Sequence, residues 1–514
     1  SMRVSDDLFQ LIKSMSKSEK GYFKKFASKH TIGEKNIYVK LFDAIEKMEA
    51  YDESVIKKKF SGEKFAEKLY STKNYLFNLI LKALSSYHAE KFVVSRLNMM
   101  MIELNVLFEK GLYKQFKTLL NKAISIASEN EKPFYLALLY NKALTSVATD
   151  YYTDYDEFDY DKLKREALGN LDKLSINEQY HILYNDMFMF TKETGNVRNE
   201  SDLEKLNSIF SNPLLQDESL AVTFDAKFKL YTVLGHYYRI VDDKINWLKY
   251  RKRLVGLMES EKKYIRENPR SYILALNNYL HACVYTGMNE EFEENLKKLK
   301  VFAKQFENKK EYIDIQSRIF MLTSDLELNF SIKSLNFENL RSIIDNIESG
   351  FKKFGAMISE NRKISLYNRL AYACFLMREY GNSLLYLNRI LNATNSKIEP
   401  EQHIFARIRS LIVHFEAGNY DLLEYSVRTT RRFLERSNRI FKFEKLILKF
   451  ITLAVNYSDD EQRLALYGRL KEDISRLQDD KFEKNILEQF DFVSWIDSKI
   501  MNTAMLNVLK KKAV

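Results

Sequence analysis

Leu139-Tyr140-Asn141 is a short phrase that this 514-residue chain repeats. It returns as Leu183-Tyr184-Asn185, Leu230-Tyr231-Thr232, Leu276-Asn277-Asn278, Ile319-Phe320-Met321, Leu366-Tyr367-Asn368 and Ile404-Phe405-Ala406. The steps between first residues are 44, 47, 46, 43, 47 and 38. A period of this size implies stacked helical hairpins, because one hairpin cannot bury its apolar face alone. The chain has only 4 Pro and 14 Gly. Both residues break helices and mark turns, so their scarcity points to an all-α fold. No sustained apolar/polar alternation is bounded by turn clusters, and no sheet is expected.

Each copy of the phrase belongs on the first helix of a hairpin. Turn signals follow 10 to 15 residues later, at Gly287-Met288-Asn289, Glu379-Tyr380-Gly381 and Gly418-Asn419-Tyr420. Gly111-Leu112-Tyr113 closes an earlier unit that begins near Phe92. The following helices carry apolar or small residues at helical spacing: Phe116, Leu120 and Ala123; Phe292, Leu296 and Leu299; Ser383, Leu387 and Ile390; Leu423 and Val427. Residues three and four apart share a helix face, so these faces pack on the preceding helix.

At this point the residues resemble the tetratricopeptide repeat. Residues 364–392 match best: Tyr367, Leu370-Ala371, Cys374, Tyr380, Ser383, Leu387 and Ile390 follow that family's order of large and small positions. Ser383 stands where the family usually has Ala, and Tyr367 where it has Trp. The units at 276–299 and 407–430 fit more loosely, Arg407 and His414 falling at positions that are usually apolar. The resemblance covers residues 92–450, and residues 451–514 add a further hairpin or two and a cap. It implies a TPR-like, right-handed superhelical α-solenoid of about nine antiparallel helical hairpins over residues 92–514. The period of about 44 exceeds the family's 34, so helices or loops are longer.

Residues 1–91 form a separate helical N-terminal module that caps the solenoid. Ser16-Lys17-Ser18-Glu19 is a capping-box pattern opening a helix into Tyr22, Phe23 and Phe26. A helix of about 14 residues follows around Val39, Phe42, Ile45 and Met48. Asp52 caps another, and Ser71 a long one through Leu76, Leu79, Ile80, Ala83 and Leu84.

The composition excludes several classes. Two cysteines, Cys283 and Cys374, make no disulfide framework and read as reduced core residues of a cytoplasmic protein. No run of about 18 apolar residues spans a membrane, and the first residues lack a signal peptide's apolar block. There is no GxGxxG, P-loop, HExxH, GxSxG or CxxC, and no adjacent glycine pair to cradle a phosphate. The seven histidines show no i,i+3 or i,i+4 pair for a metal. No enzyme activity, cofactor or metal is expected.

Four asparagines of the repeated phrase recur on first helices. In tetratricopeptide proteins that helix lines the concave groove, where Asn, Lys and Arg bind peptide backbones and carboxylates. By that resemblance Asn141, Lys142, Asn185, Asn278, Asn368 and Arg369 are groove candidates. An amide both donates and accepts, so it suits an extended peptide. The alternative is a structural ladder between repeats; only the groove role requires exposure.

Three other features stand out. Residues 150–161 set six acids among five aromatics, read either as an interaction loop or as locally packed. Arg428, Arg431, Arg432, Arg436 and Arg439 form a basic stripe on one helix. The N-terminal residues 1–95 are basic too, with 18 Lys/Arg against 12 Asp/Glu, including Lys57-Lys58-Lys59 and Lys73. The formal charge of +11 is mostly interspersed, which favours solvated helix faces. The sequence thus leads to a protein–protein interaction scaffold or adaptor holding a peptide or protein partner in its groove. The alternative is a regulator with nucleic-acid-binding N-terminal helices and a solenoid sensor.

Overall fold

The computed structural model describes residues 6–29, 37–89, 92–153, 159–309, 312–358, 360–393, 400–457, 459–487 and 489–512. Among these the protein is all-α, with no strand. Contacts divide the chain into two compact units, residues 1–176 with 308–313, and 177–307 with 314–514.

In the first unit, α1 (Asp7–Ser14), α2 (Lys17–Lys29), α3 (Ile37–Glu46), α4 (Glu53–Lys59) and α5 (Leu69–His88) share an apolar core around Ile12, Phe23, Phe42, Ile45, Ile56 and Ile80. The capping box is present: the Ser16 amide donates to Glu19 Oε2 at 2.7 Å, and the Glu19 amide to Ser16 Oγ at 3.2 Å. Asp52 caps α4 by accepting from the Ser54 amide. Ser71 caps nothing, because α5 already begins at Leu69, and α3 stops at Glu46, before Met48. A second cluster follows on α6 (Val93–Glu109), α7 (Tyr113–Glu129) and α8 (Pro133–Thr153), centred on Leu97, Leu104, Phe116, Leu120 and Leu139. The expected boundary near residue 91 falls between these two clusters. The division of units lies instead at 176, inside α9 (Tyr160–Thr194).

The second unit continues with α10 (Glu200–Phe210), α11 (Pro213–Gln216), α12 (Phe224–Ile240), α13 (Lys244–Ser260), α14 (Lys262–Glu267), α15 (Pro269–Thr286) and α16 (Asn289–Ala303). Then come α17 (Ile313–Lys333), α18 (Leu340–Phe354), α19 (Glu360–Leu376), α20 (Tyr380–Leu391), α21 (Pro400–Glu416), α22 (Tyr420–Arg436), α23 (Lys442–Asn456) and α24 (Asp460–Gln478). The short α25 (Lys484–Leu487), α26 (Phe492–Ile500) and α27 (Met505–Lys512) end the described chain. Helices pack in sequence order, α12 on α13, α13 on α15, α19 on α20, α20 on α21. The repeated phrase lies on α8, α9, α12, α15, α17, α19 and α21.

The hairpin turns share one backbone device. A single left-handed residue follows the helix, and the next amide donates to a carbonyl five residues back. This happens at Gly111, Glu131, Asp242, Gly287, Arg378, Gly418, Asn438 and Asn502. The paired bonds satisfy carbonyls that the helix end leaves free. Three of these positions were hidden in the sequence because Glu131, Asp242 and Arg378, rather than Gly, adopt the left-handed φ there. At 377–379 the left-handed residue is Arg378, with φ 61°, and Gly381 lies inside α20.

The device also explains the cysteines. The Cys283 carbonyl accepts from Met288, and the Cys374 carbonyl from Glu379, both at the same place in their turns. Both thiols are buried, and that burial pushes each up to about 12. Ser383 is likewise a packing residue: wholly buried on α20, its hydroxyl donates to the Ala371 carbonyl of α19 at 2.7 Å.

Gly350 of α18 carries the ring of Phe320 from α17 directly on its backbone. An added Cβ would lie 1.9 Å from Phe320 Cε2. Gly350→Ala therefore costs about 1–3 kcal/mol by overpacking, despite alanine's better helix propensity. Urea unfolding checks this, and Phe320→Leu in the same chain restores most of the loss.

One expectation of a solenoid fails within this unit. Stacked repeats touch only their neighbours, yet the 195–199 link after α9 meets residues more than 200 positions later. Asn196 bonds Glu401, Arg198 bonds Glu444 and Glu483, and Arg439 donates to the Thr194 and Glu193 carbonyls. Lys481 and Lys484 pair with Glu200 and Asp242. Polar side chains thus tie the unit's first residues to its last hairpins.

Candidate functional site

The tie borders a polar, partly open cavity of about 840 Å³ in the second unit. Its wall is built mainly from first helices: His236 and Arg239 of α12, Asn277, Asn278 and His281 of α15, Asp325 and Asn329 of α17, Asn368, Arg369 and Tyr372 of α19, and Glu401, Gln402 and Arg409 of α21. Arg251 enters from α13. The C-terminal residues Leu487, Gln489, Asp491, Leu509 and Lys512 supply more of the lining. Seven cationic side chains (Arg239, Lys244, Arg251, Lys333, Arg369, Arg409, Lys512) line the cavity with four carboxylates (Asp242, Asp325, Glu401, Asp491).

One part of the wall is a closed ion network. Asp325 pairs with Arg369 and lies 3.3 Å from His281 Nε2. Burial pushes the Asp325 carboxyl up, but Arg369 and His281 outweigh it and hold the group at about 2. Its usual value is 3.8. A carboxylate depressed on folding contributes stability above its unfolded value, and loses it as pH falls through the folded value. The contribution is about 2 kcal/mol. The stability advantage over Asp325→Asn should therefore be full above pH 4 and shrink towards pH 2, as read by urea midpoints across that range. A gap that stays constant would show that Asp325 does not titrate in this way.

Arg409 is a second buried cation, pushed down to about 10 by burial. It donates to the Asn368 carbonyl and, at 2.9 Å, to the Gln489 carbonyl. The Asp491 amide donates to the Tyr372 hydroxyl at 3.4 Å. These bonds fasten the C-terminal segment to α19 and α21. Glu401 sits on the link after α9, accepting from the Asn196 amide at 2.8 Å and its side chain at 3.1 Å. Gly195 makes room for it: a Cβ there would lie 2.6 Å from the carboxyl carbon. Burial pushes Glu401 up from the usual carboxyl range, against the pull of Arg198, Arg439 and Arg239.

Several other lining groups are unsatisfied. Among the described residues, fifteen buried side-chain nitrogen and oxygen atoms lack a hydrogen-bond partner, and eight belong to residues lining this cavity. They include Nε and Nη1 of Arg251, Nδ1 of His236, Oδ1 of Asn277 and Asn368, and Nδ2 of Asn329. Folded proteins leave few such atoms, so these groups remain available to hydrogen-bond water or another polar molecule in the cavity.

The structure divides the groove candidates. Asn278, Asn368 and Arg369 line the cavity. Asn141 and Asn185 are exposed and do not line it, and Lys142 bonds Asn105 in the first unit. Asn368 is partly a ladder residue, donating to Gln402 Oε1 at 2.7 Å. Sequence reasoning missed Arg251, His236, Asn277, Asn329 and Arg409. The available signal was a polar residue in an apolar helical register: Arg251 falls among Trp247, Tyr250, Leu254, Val255 and Met258, all buried.

Of the basic stripe, Arg428, Arg431, Arg432 and Arg436 are exposed on α22. Arg439 is not on that helix, which ends at Arg436; its guanidinium is spent on the α9 carbonyls. Lys73 of the N-terminal module is buried and bonded to Glu53 Oε2 at 2.8 Å and the Tyr51 hydroxyl at 2.7 Å, so it serves packing. In the acidic-aromatic stretch α8 runs on through Thr153 and α9 begins at Tyr160; residues 154–158 lie outside the described residues. No described helix is long and apolar enough to cross a membrane, and no described group of three His, Cys, Asp or Glu residues could hold a metal ion.

No protein-family model, curated protein or solved structure matches this chain.

Proposed function

We propose that this chain is a non-enzymatic, tetratricopeptide-like recognition protein that binds a segment of a partner protein in the cavity of its second unit. The observation that carries this is the clustering of unsatisfied donors and acceptors around one cavity, on α13 and on the helices that bear the repeated phrase, with more cations than carboxylates in the lining. Fixed helices hold these groups in place before binding, so little ordering entropy is lost. The surplus of cations selects acidic segments, and the amides of Asn277, Asn278, Asn329 and Asn368 suit a peptide backbone.

The test is affinity purification from the native cell with three forms of the chain. Partners held by wild type should be lost from Asn278→Ala/Asn368→Ala and retained by Arg428→Ala/Arg431→Ala/Arg432→Ala. Loss from the α22 variant alone would move recognition to the basic stripe. Retention by both would end the cavity assignment.

A further inference from the structure

Helix α6 buries one face and leaves the opposite face apolar. Leu97, Met100 and Leu104 are buried in the cluster shared with α7 and α8. Phe92, Met99, Ile102 and Val106 are between 46% and 58% exposed. Phe92, Met99 and Val106 recur every seven residues, and Ile102 falls three after Met99 and four before Val106. At about 100° per residue these side chains form one stripe, turned away from Leu97 and Leu104. A surface helix normally turns polar residues to water, and an apolar stripe in their place marks an interaction surface.

The neighbouring helix widens the patch. The Tyr135 hydroxyl of α8 donates to Asn98 Oδ1 at 2.7 Å, and Lys142 of α8 bonds Asn105. Both bonds join residues 37 apart, so α8 runs beside α6 in the same direction with Leu138 level with Ile102. Leu138 is 36% exposed and Phe134, one turn before it, 52%.

The charges beside the stripe select its occupant. Arg96 and Glu103 lie seven residues apart on one flank, with Asn98 and Asn105 on the other. Both charged residues are exposed, and among the described residues neither has an ion-pair partner. When a second α6 lies antiparallel against the first, with the twofold axis level with Met100 and Met101, Met99 faces Ile102 of the other copy and Val106 faces Ser95. In the same register Arg96 faces Glu103, and the symmetry makes every contact twice. A parallel pair keeps Arg96 and Glu103 about 10 Å apart along the axis and forms neither ion pair.

We propose that α6 pairs antiparallel with α6 of a second copy of this chain, through the Met99–Ile102–Val106 stripe and two Arg96–Glu103 ion pairs. This interface belongs to the first unit and does not depend on the cavity reading. Its seam is short, bordered by Phe134 and Leu138, so the dimer belongs to the small, weak class of interfaces, with a dissociation constant of micromolar order.

Sedimentation velocity of the full chain, from micromolar to sub-millimolar concentration, tests it. Wild type should pass reversibly from one chain to two. Ile102→Glu should weaken the dimer at least about a hundredfold, because it brings two carboxylates into the seam. Leu168→Glu, at a residue equally exposed at 58% but on α9, should leave the dimer unchanged. Arg96→Glu and Glu103→Arg should each weaken it at least about tenfold, because each sets like charges together twice. Mixed with one another, these two variants should associate as tightly as wild type, since every pair is again of opposite sign. All four substitutions are at exposed positions, and circular dichroism should show the helix content of wild type in each. A chain that stays single at the highest concentration overturns the proposal and leaves the stripe to another occupant. Equal weakening by Ile102→Glu and Leu168→Glu overturns it too, as unspecific apolar association. So does a mixture of the two charge variants that associates no better than either alone.

Discussion

Arg198→Ala should lower the free energy of unfolding by about 3–5 kcal/mol. Arg198 sits in the link between α9 and α10, with its side chain 4% exposed. Its Nη1 and Nη2 each lie 3.1 Å from a Glu444 oxygen, and Nη2 also donates to Glu483 Oε2 at 2.9 Å. The guanidinium stacks over Phe441, 4.5 Å from the ring centre. Glu444 is wholly buried and also accepts from the Phe441 amide; Glu483 accepts from the Lys442 and Phe443 amides.

Removing the arginine leaves two carboxylates buried side by side. Burial already pushes Glu444 up from the usual carboxyl range, against the pull of Arg198. Without that cation, only backbone amides oppose the charge repulsion and desolvation. Urea unfolding at neutral pH measures the loss. Glu444→Gln together with Glu483→Gln in the same chain should recover part of it, because the repelling charges are gone. A loss under about 1 kcal/mol would place the pair among ordinary surface ion pairs. The consequence reaches the cavity, because Arg198 holds the link that carries Asn196 onto Glu401.

Trp495→Ala should cost a similar amount, about 3–5 kcal/mol, with a more local effect. Trp495 of α26 is 1% exposed and packs against Phe415, Phe450, Tyr467, Phe490 and Phe492. Its indole donates to Glu416 Oε1 at 2.7 Å, and Lys499 pairs with the same carboxylate. Truncation leaves a void among five rings and an unpaired buried oxygen. The segment it anchors, residues 484–512, contributes part of the cavity wall. Amide exchange in that segment should quicken more than in α12 or α15. Equal protection everywhere would show that the C-terminal helices do not open as a unit.

Local structure was largely legible from residue order. The period of the Leu-Tyr-Asn phrase located seven helices, because each Leu or Tyr is needed to bury a hairpin face. Ser16 and Glu19 announced a capping box, and Gly111, Gly287 and Gly418 announced turns, because the backbone conformation there favours those residues. Arg378 and Glu131 do the same work without announcing it, since their left-handed backbone is imposed by the packed helices on either side. The same limit applies to the site. Asn278, Asn368 and Arg369 were visible because the phrase marked them. Arg251 and Arg409 were hidden because a cation in an apolar register looks like a packing error until its surroundings are known.

The residue order alone determined an all-α chain of hairpins, the placing of Cys283, Cys374 and Ser383 in its core, and the helices on which candidate binding residues stand. These follow from periodicity and local backbone preference, which act over a few residues. The tertiary structure alone decided that residues 193–198 meet residues 401, 439, 444 and 483, and that the chain's own C-terminal segment forms part of the wall. Those contacts span more than 200 residues and depend on single side chains finding buried partners. No local pattern encodes such a meeting, and it brings the asparagines of separate helices to the wall of one cavity.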